Sequence, residues 1–168
     1  MEIENLMITT AIENWALAIG QANDGFLKLT DEQLQLQVAP GRNRLYYLLG
    51  HLAAVHDRAL PLFRRGERLY PELDVNFIDA PDCATYDLEL NETLKSAWTA
   101  INEALASSFE KLTPTEWVEL KPQMSATGFM LPPRHNRLAI LLSLTNHTSY
   151  HLGQAKLAQQ ASLFENVG

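Results

Sequence analysis

Four stretches of this chain place apolar residues at steps of three and four, and that spacing limits the fold more than any other feature. The first stripe is Ile8, Ile12, Trp15, Ile19, Ala22 and Phe26; the second is Leu45, Leu48, Leu52, Val55, Ala59 and Leu62. The third is Leu94, Ala97, Ile101, Leu105, Ser108 and Leu112, and the fourth runs Leu144, His147, His151, Gln154 and Ala158. Each is one face of an amphipathic helix, which needs other helices to bury it. The spacing predicts helices from about Glu4 to Phe26, from Arg42 or Asn43 to about Arg65, from about Asp87 to Leu112, and from about Arg134 to Gln160. The expected fold is all-α: a four-helix bundle with long connecting loops, forming one domain over residues 1–168. Gly20 weakens the first helix without breaking it. Pro61 predicts a kink or an early end in the second, and Gly66 ends it.

Local chemistry marks the connections. Thr30 with Gln33, and Thr113 with Glu116, each form a capping box, and Pro114 takes the favoured first helical position. Ala39-Pro40-Gly41 reads as a turn. The segment from Gly66 to about Thr85 holds Pro71 and Pro81 and is long for a compact domain, so it is a crossover or a functional loop. Residues 121–133 read as a loop, and the tail from Ser162 reads as frayed. Phe26-Leu27-Lys28-Leu29-Thr30 echoes Phe109-Glu110-Lys111-Leu112-Thr113. Shared turn chemistry explains that echo more simply than a pseudo-two-fold bundle does.

Composition excludes several classes of function. Hydrophobic content is 46%, enough for a core, but no apolar run reaches the roughly 20 residues of a membrane helix. The start Met1-Glu2-Ile3-Glu4 lacks the basic region of a signal peptide. One cysteine, Cys83, cannot form an internal disulfide, so the expected compartment is the cytoplasm. The net charge of -7 argues against nucleic acid as a partner.

The fourth stripe carries histidines where a core helix usually carries Leu or Ile. His147 and His151 are four apart and lie one above the other on one helix face, close enough to share an ion. A third ligand has to come from another helix, and His51, in Leu48-Leu49-Gly50-His51-Leu52-Ala53, is the candidate. Three protein ligands leave a fourth position for water or substrate. Imidazole suits several first-row ions. Zinc and nickel lead, with iron, cobalt and manganese also open. The bland alternative is three core or surface histidines with ordinary hydrogen bonds.

His-x-x-x-His-x-Gly-Gln on the last helix, with a lone earlier histidine in Leu-Gly-His-Leu-Ala, resembles the DinB/YfiT-like superfamily. Leu152 stands where many members carry Arg. The resemblance implies a small helical bundle with a three-histidine metal site at His51, His147 and His151. Some members are thiol-dependent transferases or isomerases. It therefore implies a metal-dependent transferase or hydrolase acting on a small molecule, with a low-molecular-weight thiol as partner, and a homodimer. A non-catalytic bundle that binds a metal or small ligand in a stress response is the rival, and an inert scaffold is the third reading.

Other residues have narrower readings. Gln154 faces the same way as His151 and can bond a ligand ring or an incoming group. Tyr47, four before His51, either puts a hydroxyl near the pocket or simply packs. Gly153 permits close helix approach or is merely tolerated. His56 is turned about 140° from His51 around the helix and reads as a surface residue beside Asp57. His135 lies roughly 18 Å before His147 along the helix, too far to share its ion. Cys83 reads as a free cysteine, and Trp15, Trp98 and Trp117 as core or boundary residues.

Overall fold

The computed structural model describes residues 3–63, 66–82, 88–120 and 136–165. Four long helices, α1 (Ile3–Phe26), α3 (Leu45–Phe63), α5 (Leu88–Phe109) and α7 (Arg137–Glu165), form the bundle. Three short ones join them among the described residues: α2 (Asp31–Leu34), α4 (Leu73–Phe77) and α6 (Pro114–Val118). Among the described residues the expected four-helix bundle thus carries seven helices, four long and three short, and not strictly four. α1 packs along α7, α3 along α5, and α3 meets α7 between these pairs. None of the described helices is long and apolar enough to cross a membrane.

Local sequence explains the short turns. Thr30 and Thr113 each accept from the third helical amide, and Gln33 and Glu116 reach back to the cap amides. α7 starts on Asn136, whose side chain accepts from the Ala139 amide at 2.8 Å. Its helix continues through Glu165, past the point where a frayed tail was expected. α3 ends two residues after Pro61, and Arg137 donates to the Leu62 carbonyl there at 2.6 Å. Residues 64–65, 83–87 and 121–135 lie outside the description, and with them His135, Cys83 and the expected 121–133 loop. The core joins all four seams, and Trp15, Trp98 and Trp117 are buried in it. Trp98 donates to Asn23 at 2.7 Å, and the Trp15 ring meets Phe109 edge-on at 4.9 Å.

α3 is the central helix, with residues buried on every side. Its run Leu48-Leu49-Gly50-His51-Leu52-Ala53-Ala54-Val55 has no polar face, as a fully surrounded helix requires. This overturns the surface reading of His56. That imidazole is 0% exposed and is bonded on both nitrogens, to Asn102 Oδ1 of α5 at 2.8 Å and to Thr148 Oγ1 of α7 at 3.1 Å. The side of α3 away from His51 is an interface with α5, not with water. Asp57, also fully buried, accepts from the Leu69 and Tyr70 amides and from Arg68. Arg68 continues to Asp74 on α4, and Asp74 also accepts from Arg58 of α3. The crossover is thus tied to α3 by side chains at both of its turns.

Burial pushes His56 down to about 4, against the pull of its Asn102 bond. Its unfolded value is near 6.5, so between these two values the unfolded chain binds the extra proton. The stability His56 contributes is complete above about pH 6.5 and is lost as pH falls toward 4, up to about 3 kcal/mol. Denaturant melts of chelator-treated protein between pH 7.5 and pH 4.5 measure it. Replacing His56 with Gln should remove that share of the acid sensitivity. Equal losses in both proteins would refute the assignment.

Candidate metal centre

His51 comes from the middle of α3, and His147 and His151 from successive turns of α7. Where α3 crosses α7, the three imidazoles converge, and one nitrogen from each lies within 4.8 Å of the others. Ring centroids are 5.1 Å apart for His51 and His147, 5.4 Å for His51 and His151, and 4.6 Å for His147 and His151. All three are half-buried. The stripe read from the sequence holds: Leu144 and Ala158 are buried above and below, and Gln154 follows the histidines.

Outer hydrogen bonds select the tautomer. His51 Nδ1 donates to the Phe77 carbonyl at 2.8 Å, which leaves the Nε2 lone pair free. His151 Nδ1 donates to Gln154 Oε1 at 2.8 Å, with the same result. The Nε2 atoms of His147 and His151 stand 2.9 Å apart. Two nitrogens each about 2.0–2.1 Å from one zinc-like ion can be at most about 4.2 Å apart, so this spacing fits a shared ion. His147 Nδ1 is buried with no hydrogen-bond partner among the described residues. Burial, then the charges of His151, His51 and His56, push His147 down to about 3. Burial also lowers His151, against the Gln154 bond. Both therefore stay neutral at ordinary pH, the form that binds metal. The three-histidine cluster is able to hold a divalent ion.

The neighbours divide into those that hold rings and those that face the opening. Tyr47 stacks beside His51, with ring planes 7° apart and centroids 6.3 Å apart. Its hydroxyl, however, donates to the Ala80 carbonyl at 2.8 Å, so it ties the crossover down and does not reach into the site. Gln154 bonds His151 and also donates to the Tyr150 hydroxyl at 3.3 Å. Tyr150 was missed from the sequence, although it stands four residues before Gln154 on the same flank. Its oxygen accepts from Gln154, leaving its own proton free to donate. Tyr150, His151 and Gln154 line an open groove of about 470 Å³, together with Val38, Arg42 and Leu48 among others. That is a small-molecule volume. Gly153 meets nothing within 4 Å and is simply tolerated, whereas Gly50 lies hard against the Phe77 ring.

The family model of the DinB superfamily matches residues 21–155, a span that contains all three histidines. Among solved structures, a conserved protein from Enterococcus faecalis shares the fold at a TM-score of 0.65 and 16% identity. The match covers 95% of this chain and 96% of that one. No curated protein matches the chain.

Proposed function

The chain belongs to the DinB superfamily, and from that premise we propose that it is a metal-dependent enzyme, a transferase or hydrolase acting on a small molecule with a low-molecular-weight thiol as co-substrate. One observation carries the reading: three imidazoles converge, two with their outer nitrogens tied to oxygen acceptors, and one of them, His151, also lines a groove of substrate size. A divalent ion held by His51, His147 and His151 would supply a Lewis acid able to lower the pKa of a thiol or water. The protein's own groups do the rest. Phe77 and Gln154 fix two of the rings, Tyr150 offers a proton donor at the groove wall, and Leu48 and Val38 give that wall an apolar side. The thiol rests on the family resemblance, and zinc or nickel is the ion proposed.

The test begins with elemental analysis of protein purified without an affinity tag. Low-molecular-weight thiols are then screened for transfer to electrophiles, with and without chelator. Turnover that chelator abolishes and added metal restores is the expected result. Metal bound without any turnover would leave the binding bundle as the better reading. The chain carries an apolar seam on each long helix, so the apo protein should still melt cooperatively by circular dichroism. The loss should be only the binding linkage, about 2.7 kcal/mol with free metal a hundredfold above its dissociation constant. An apo chain already unfolded at room temperature would recast the histidines as a folding staple.

A further inference from the structure

We propose that the substrate at this site is a small organic acid whose carboxylate is bound by Arg42. This rests on the metal-dependent reading above and adds the substrate class to it. Arg42 sits on a built turn and not on a slack loop. Its amide donates to Ala39 at 2.9 Å, the Val38 amide donates to Asn43 at 3.0 Å, and the Leu45 amide donates to Leu36 at 2.9 Å. Gly41, at φ 72°, supplies the left-handed residue the turn needs, and its amide donates to Gln37 Oε1 at 2.9 Å. The turn therefore holds the Arg42 backbone in place at the wall of the groove that His151 and Gln154 also line.

The two neighbouring arginines have different surroundings. Arg44 is buried and pairs with Asp82, while Gln35 accepts from its other side. Asp82 also accepts from the Arg44 amide at 2.8 Å, so the start of α3 already has its anion. Arg42 is exposed, and no acidic side chain pairs with it among the described residues. The residues lining the groove include no Asp or Glu, in a chain of net charge -7. A cation without a counter-charge, in a groove that also reaches a metal ligand, fits an anion. One guanidinium matches one carboxylate by its two parallel N–H groups. A phosphate dianion calls for further donors, and the Arg44 amide just ahead of α3 is taken by Asp82. The apolar wall of Val38, Leu48 and Leu157 suits a short carbon skeleton between Arg42 and His151.

The experiment uses the full chain loaded with cobalt, whose visible absorbance reports on what binds beside the histidines. It is titrated with 3-mercaptopropionate and with 2-mercaptoethanol, which differ in the carboxylate. The wild type should bind the acid about 2–5-fold more tightly, the worth of one solvent-exposed ion pair. Arg42→Gln should lose that preference and keep its cobalt content and its affinity for 2-mercaptoethanol. Equal affinity for the two thiols in the wild type, or a preference that survives Arg42→Gln, overturns the proposal. So does a cobalt spectrum blind to both. Failure to take up cobalt at all is a failure of the metal reading itself, visible in the metal content before any titration, and removes this proposal with it.

Discussion

Alanine at His51, His147 or His151 should each strip the protein of its ion, while His56→Gln leaves metal content unchanged. Loss of an outer hydrogen-bond partner alone costs metal affinity about 10–100-fold, and loss of a ligand costs more. With three candidate ligands, each substitution leaves two imidazoles, and those on α7 reach an ion from one side only. The His56 control matters because that histidine is near the cluster yet bonded to Asn102 and Thr148, with neither nitrogen free. Metal-to-protein ratios after dialysis against a competing chelator give the answer, with circular dichroism to show that each variant is folded. A His51→Ala protein that retained its full ion would remove α3 from the site.

The second large effect is expected from Gly50→Ala, a substitution that touches no ligand. A Cβ at position 50 would enter the ring of Phe77, which is 4% exposed and meets Tyr46 and Tyr47 at 5.5 and 5.9 Å between centroids. The ring has little room to yield, so overpacking costs about 1–3 kcal/mol. The gain of about 1 kcal/mol in helix propensity offsets some of that. Any shift of Phe77 also moves the carbonyl that accepts from His51 Nδ1. Both thermal stability and metal affinity should therefore fall, the first by about 2–4 °C per kcal/mol and the second by about 10–100-fold. Gly20→Ala and Gly153→Ala, which open onto empty space, should hold or raise the melting temperature. If Gly50→Ala matched them in melting and held metal like the wild type, the Phe77 contact would carry no weight.

What could be read from the sequence was whatever depends on near neighbours along the chain. The capping boxes of α2 and α6 involve residues three apart, and both form as written. His147 and His151 share a face because one helical turn separates them. His51 was legible as an inward histidine beside a leucine seam, and the resemblance to a known family joined it to the other two. His56 was misread because helical periodicity identifies one buried face and leaves the opposite one to be assigned to water by default. α3 has neighbours on several sides, and its lack of any polar stripe was the overlooked signal. α4 was invisible for a related reason. Five residues carry no period, and this turn is held by Asp57, Arg58 and Arg68 from elsewhere in the chain. Gly50 was equally silent, since no local rule reveals which ring will press on a glycine.

The three imidazoles belong to two separate bodies. His147 and His151 ride on one helix and keep their mutual spacing as long as that helix stays wound. His51 belongs to α3, and its ring is set by a carbonyl on the crossover that Asp57 and Arg68 clamp to the same helix. The dimension along which this site can adjust is thus the gap between α3 and α7. An ion of larger radius would be met by helices whose facing residues are packed in the core, so a methylene added or removed at that crossing would bear on the size of the cage without altering a ligand.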